Sequence, residues 1–180
     1  MRQPVSPWVR RFAALVPGGE VLDLACGAGR HARHFAGLGY PVLAVDRDSA
    51  ALASLVGVPG ISCMEYDLED GRAFPFGPGR FAGIVVTHYL HRPLLDALVA
   101  SLAPDGVLIY ETFAQGNEAF GKPSNPAFLL APGELLALAA RHRLQVLAYE
   151  DGLTAQPAAL QRLCALGPAF PREHGKLETF

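Results

Sequence analysis

The run Glu20-Val21-Leu22-Asp23-Leu24-Ala25-Cys26-Gly27-Ala28-Gly29-Arg30 narrows the possible folds more than any other stretch of the chain. An apolar strand ends in an acid, and a glycine turn then opens a helix near Arg30. The two glycines let the backbone pass close to a ligand where a Cβ would intrude, and the free N–H groups of the helix's first turn point at whatever sits there. Gly27-Ala28-Gly29-Arg30-His31-Ala32 also fits the dinucleotide pattern G-x-G-x-x-A, so the glycines alone do not separate a pyrophosphate site from others. Asp23 discriminates. At the end of its strand it is a poor neighbour for a diphosphate and a good acceptor for an ammonium group, which points to a cationic nucleoside.

Two further strands repeat the arrangement. Val42-Leu43-Ala44-Val45-Asp46 is apolar and ends in an acid about 20 residues on, where a nucleotide-binding α/β protein holds ribose hydroxyls. Ile61 to Tyr66 is followed by Asp67-Leu68. On these residues the chain resembles the class I S-adenosylmethionine-dependent methyltransferases, with the Asp23 to Arg30 segment as their motif I. The resemblance implies S-adenosylmethionine as cofactor and S-adenosylhomocysteine as product. It sets Asp23 toward the methionine ammonium, Asp46 with Arg47 at the ribose, and Asp67 with Leu68 beside the adenine. Ala25, Cys26, Gly27 and Gly29 wrap the nucleoside, and His88 stands by the sulfonium. Arg11 or Arg30 is a candidate for the methionine carboxylate.

Short Val, Ile and Leu runs alternate with helical segments from end to end, which indicates a parallel sheet covered on both faces, an α/β fold. The expected strands are 20–25, 41–46, 61–66, 81–87, 107–111 and 144–149. The expected helices are 4–16, 28–38, 48–56, 94–102 and 134–142, with 69–80 irregular. Periodicity leaves 158–166 open between strand and helix. The resemblance makes it a seventh, antiparallel strand inserted between the fifth and sixth, giving a Rossmann-like three-layer αβα sandwich. A length of 180 residues suits one domain, 1–180, that buries about 70% of its unfolded surface. With 51% hydrophobic residues, a net charge of −2 and scattered Lys and Arg, a packed core is expected and no electrostatic footprint for nucleic acid is present. Cysteines at 26, 63 and 164 lack C-x-x-C spacing, and no signal pattern or membrane-length apolar run occurs, so a cytoplasmic chain is expected.

Acceptor chemistry is expected after the fourth strand, in Thr87-His88-Tyr89-Leu90-His91-Arg92-Pro93. Neutral imidazole near pH 7 can take a proton from an attacking hydroxyl, thiol or amine, so His88 is a candidate base, with packing over the cofactor as its alternative. His88 and His91 lack a third ligand nearby in sequence, which speaks against metal. Tyr89, His91 and Arg92 are candidate acceptor contacts. The Asn/Asp-Pro-Pro-aromatic motif of relatives that methylate nucleic-acid bases is missing here. The connection 113–131, rich in Gly, Pro and Asn, is longer than compact domains usually carry without a binding role and is expected to be a lid over the pocket, since the one short helix within 1–17 leaves little else to cover an acceptor. Glu111, Asn117, Lys122 and Asn125 are its acceptor candidates, Glu111 also as a catalytic group. The implied reaction is in-line methyl transfer to a small acceptor, and the size resembles compact bacterial methyltransferases of small molecules, including the tellurite-resistance type. A non-catalytic nucleoside-binding protein would keep the same acids and glycines. A nicotinamide-dependent oxidoreductase would keep the glycines without needing Asp23 and Asp67.

Overall fold

The computed structural model describes residues 4–175. Residues 1–3 and 176–180, included in the expected domain and N-terminal segment, lie outside the described residues. Seven strands form one sheet: β1 (Val21–Leu24), β2 (Val42–Asp46), β3 (Ile61–Glu65), β4 (Phe81–Thr87), β5 (Leu102–Phe113), β6 (Gln145–Leu153) and β7 (Ala159–Leu166), ordered β3-β2-β1-β4-β5-β7-β6. The neighbouring pairs among β1 to β5 are parallel, and β7 runs antiparallel to both β5 and β6. The segment 158–166 is therefore a strand, inserted where the resemblance implied.

Helices α1 (Pro7–Phe12), α2 (Arg30–Gly37) and α3 (Ser49–Ala53) bury Val9, Phe12, Phe35 and Leu52 with Val85 and Ile109 in one core layer. Helices α4 (Leu95–Ala100) and α5 (Glu134–Arg141) bury Leu98 and Leu138 with Ile84 and Leu108 in the other. Because β1 and β4 are covered on both faces, they read as near-continuous apolar runs. Local chemistry sets the helix starts. Ser6 Oγ accepts from the N–H groups of Trp8 and Val9 with Pro7 at the first turn, and Asp48 Oδ1 accepts from Ala50 and Ala51.

Several elements differ in length from expectation. The first helix stops at Phe12 and continues as a 3-10 turn over Ala13–Leu15. Helix α3 ends at Ala53, and Gly57 at φ 76° turns the chain out of helical conformation. Strand β5 begins at Leu102, not Val107. Its register against β4 shifts between Phe81 and Gly83, so Pro104-Asp105-Gly106 is taken up as a bulge. The carbonyls of Gly106 and Pro104 accept from Gly167 and Ala169 at 2.8 Å each. The stretch 69–80 is irregular, as expected. No helix among the described residues is long and apolar enough to cross a membrane.

Candidate functional site

The strands β1, β2 and β4 deliver their C-terminal ends to one edge, where three connected clefts open. The first, about 910 Å³, runs along Ala25, Cys26, Gly27 and Ala28 to Thr87 and His88, with Arg30 and Arg33 on one side and Pro4 and Val5 above. The second, about 210 Å³, holds Ala25, Asp46, Arg47, Asp67 and Leu68, with Tyr66, Glu69 and Tyr89. The third, about 320 Å³, lies under the 113–131 connection between Phe113, Pro123, Phe128 and Leu90, with Thr112 at its base. His88 belongs to the first and third clefts, and Arg47, Glu69 and Tyr89 to the second and third. Thus the sheet edge brings together the residues expected to hold a nucleoside, and a further chamber adjoins them.

The turn after β1 is held by the acids. Asp46 Oδ2 accepts from Gly27 N–H at 2.7 Å and Oδ1 from Asp48 N–H at 2.9 Å, so this carboxylate ties the glycine turn to the end of β2. Gly27, at φ 53°, has nothing within 4 Å of where a Cβ would stand, which leaves the backbone facing open cleft. Gly29 serves a different purpose. It caps α2 at φ 70°, and a Cβ there would collide with the Leu55 side chain in the turn after α3, so this glycine allows that packing as well as its own turn. A glycine cap offers no side-chain acceptor, and Asp23 supplies one from the strand, with Oδ2 accepting from Ala32 N–H at 2.8 Å. Asp23 lies behind the wall of the first cleft. Burial raises its pKa to about 7, against the lowering effects of the Ala32 bond and the Arg30 charge. Asp67 accepts from Glu69 N–H at 2.9 Å and lines the second cleft with Leu68. Burial pushes the Cys26 thiol up, which makes it an inert wall group.

Of the three described residues that take positive φ without glycine's freedom, Ala25 at 51° and His88 at 55° line the first cleft, and Arg143 lies outside it. Its own N–H holds His88 in place, donating to Glu111 O at 2.9 Å, while its ring stacks on Phe113 with centroids 5.0 Å apart and planes 30° apart. Burial of the ring, assisted by the Arg30 charge, lowers its pKa, so the imidazole is neutral at pH 7.

Several sequence-based expectations are corrected. Glu111 does not reach the clefts. It is 4% exposed, with Oε1 accepting from Ser6 Oγ at 2.9 Å and Oε2 from Arg162 Nε at 2.6 Å, so it latches the start of α1 to β5 and β7. Arg92 forks onto Glu134 and donates to the carbonyls of Ala127 and Leu129 at 2.8 Å each, which spends its guanidinium on the root of the 113–131 connection. Asn117 is buried, donating to Pro123 O at 2.9 Å and accepting from Ala159 N–H at 3.2 Å. Asn125 caps a 3-10 turn, with its side chain accepting from Ala127 N–H, and Lys122 is exposed on the connection. His91 is half-buried ahead of the 3-10 turn at Arg92–Leu94 and lines none of the three clefts. Arg11 lies over the Trp8 and Phe12 rings, away from the carboxylate end.

Sequence reasoning missed His31. Buried at 1% exposure, its Nε2 accepts from Ser6 N–H at 3.3 Å, which leaves the proton on Nδ1, 3.4 Å from Thr87 Oγ1. Burial lowers its pKa to about 3. Its partners lie 25 and 56 residues away, and no local spacing signals them.

Comparison with known proteins fits this site. A solved S-adenosylmethionine-dependent methyltransferase from Methanosarcina mazei has a similar fold, with a TM-score of 0.67 at 16% identity, covering 92% of this chain and 99% of that one. So does the Burkholderia thailandensis 1,6-didemethyltoxoflavin-N1-methyltransferase, solved with S-adenosylhomocysteine. Its TM-score is 0.63 at 20% identity, over 89% of this chain and 76% of that one. A curated relative, protein-L-isoaspartate O-methyltransferase 2 of Rhodopseudomonas palustris (strain HaA2), is 38% identical over 105 residues. That match covers 53% of this chain and 45% of the relative, so the chain spans less than half of that protein's length. A family profile described as a methyltransferase domain matches residues 1–156, which contain all three acids, the glycine turn and the His88 loop. With the sheet order, the strand-end acids and this match in agreement, the chain belongs to the methyltransferase-domain family.

Proposed function

We propose that this protein transfers a methyl group from S-adenosylmethionine to a small acceptor, as one domain over 1–180 that works in a reducing cytoplasm. The observation that carries the reading is the pairing of Asp46 and Asp67 in one cleft with Gly27 and His88 in the next, continuous through Ala25. The residues present fit the cofactor. Asp46 would accept from ribose hydroxyls, Arg47 would flank them, and Asp67 with Leu68 would meet the adenine. Gly27 offers open backbone to the methionine moiety, Arg30 an opposite charge to its carboxylate, and Asp23, behind the wall, reaches the ammonium through a water. When bound, the sulfonium supplies an electrophilic methyl group. The chain's share is then alignment and exclusion of water, and alignment alone is worth about 7–11 kcal/mol.

Small size of the acceptor is supported by the third cleft, a chamber of about 320 Å³ under the 113–131 connection. The 113–131 connection would close as a lid. Three unpaired cysteines, one of them exposed, favour the reducing compartment. Isothermal calorimetry tests the reading: S-adenosylhomocysteine should bind with micromolar affinity and NAD should give no heat. Tight NAD binding without S-adenosylhomocysteine binding would return the site to the oxidoreductase class.

A further inference from the structure

The third cleft carries information about the acceptor that the cofactor clefts do not. Its walls are flat and apolar: the Phe113 ring with His88 stacked on it, Phe128 from the roof, and Leu90 and Pro123 closing the sides. Its charges cancel, since the Glu69 carboxylate and the Arg47 guanidinium both line it. Both stand exposed at the rim of the cleft, in water, so together they present no net charge and give no pull toward an ionic acceptor. A neutral molecule suits that balance. The Tyr89 hydroxyl, beside the Glu69 carboxylate, adds one neutral polar group at the wall shared with the nucleoside cleft. The volume holds about ten water-sized groups, the size of one substituted ring or a fused pair.

We propose that the acceptor is a neutral planar aromatic molecule bearing an acidic hydroxyl or ring N–H, and that His88 takes this proton as the methyl group arrives. His88 is the side chain common to the first cleft, proposed for the methionine end of the cofactor, and the acceptor cleft, so it stands where methyl transfer would cross. The step balances. The acceptor's X–H bond breaks toward an imidazole nitrogen, the X lone pair forms the bond to the methyl carbon, and the S–C electron pair stays on sulfur. The imidazolium then returns its proton to solvent through the cleft mouth. Neutral imidazole takes a proton most readily from an acidic X–H such as a phenol or a lactam N–H, and the flat walls favour the ring that carries it. The charged groups facing His88 are Arg30, which opposes protonation, and Glu111, which favours it. Glu69 and Arg47 share its cleft and His31 lies behind it.

This assignment rests on the methyltransferase reading, and the test separates the two. Protein saturated with S-adenosylhomocysteine is examined by saturation-transfer NMR with 2-naphthol and 8-hydroxyquinoline against cyclohexylamine, cyclohexanol and hexanoate. The two aromatic probes should bind and the aliphatic ones should not. With labelled S-adenosylmethionine and 2-naphthol, turnover should rise with pH and level off below the usual imidazole range. His88→Phe keeps a ring on Phe113 and should lower turnover about 100-fold, while the saturation constant for 2-naphthol changes less than about threefold. Aliphatic probes that bind as well as aromatic ones, or full turnover in His88→Phe, would overturn the assignment while leaving the methyltransferase reading intact. Failure of S-adenosylhomocysteine to bind at all would overturn both.

Discussion

Asp46 receives two backbone N–H groups, Gly27 from the turn after β1 and Asp48 from its own loop, before any ligand arrives. The same carboxylate lines the second cleft, so it shapes the turn and faces the position proposed for the ribose together. Asp46→Ala should weaken S-adenosylhomocysteine binding by about 1.5–3 kcal/mol, the range for hydrogen bonds to a charged group. Calorimetry on the variant checks this, and an unchanged affinity would remove Asp46 from the ribose. At this scale the sequence was informative wherever a residue acts through its own strand end, as Asp46 and Asp67 do. It misled at Glu111, Arg92 and Asn117. Their polar side chains looked available because the groups that engage them, Ser6, Arg162, Glu134 and Ala159, lie 105, 51, 42 and 42 residues away.

The 113–131 connection divides into a fixed root and a free tip. Across its two ends Gln115 N–H donates to Leu130 O and Leu130 N–H donates to Phe113 O, at 2.9 Å each, and Arg92 and Asn117 fasten them further. At the tip, Phe120 is 46% and Phe128 45% exposed. A core phenylalanine cut to Ala costs about 3–5 kcal/mol, so an exposed Phe120 should cost well under that when replaced. Phe120→Ala should therefore melt close to wild type and yet lose turnover, because closure over the acceptor is impaired. Hydrogen exchange should be fast at 118–128 and slow at 113–115 and 130, with the tip slowed by S-adenosylhomocysteine and acceptor together. A strongly lowered melting point would make the tip part of the core instead. Element identities were readable except at 158–166, where periodicity left strand and helix open, because periods of 2 and 3.6 and the caps at Ser6 and Asp48 are local properties. Their lengths were less so. The bulge that starts β5 at Leu102 depends on Gly167 and Ala169 pairing with it, and a tertiary contact of that kind leaves no periodic trace.

Taken as a whole, the molecule balances two buried ionisable groups of opposite type. Asp23 has its pKa raised from 3.8 to about 7, so the folded state holds its proton longer than the unfolded chain does, and its contribution to stability falls as pH rises between those values. His31 has its pKa lowered from 6.5 to about 3, so the unfolded chain binds that proton first, and its contribution falls as pH drops from 6.5 toward 3. Across pH 4 to 6.5 the two slopes oppose each other. Asp23→Asn keeps an acceptor for Ala32 N–H while removing one slope. Urea unfolding should show the variant gaining on wild type steadily from about pH 4 to about pH 7, with a constant difference above that. Parallel curves throughout would mean that Asp23 does not titrate in this range.

The latch from Ser6 to Glu111 and Arg162, with Trp8 Nε1 donating to Leu163 O at 3.2 Å, joins the earliest described helix to two of the last strands in the sheet. A nascent chain that has emerged through β4 already carries all three strand-end acids, the glycine turn and His88. It has no anchor for the segment that roofs the first cleft, because β5 and β7 are still inside the ribosome. The roof over the first cleft would then form only once the hairpin of β6 and β7 has joined the sheet, so a nucleoside bound earlier would sit in an open cleft and could not serve as a template for folding that segment.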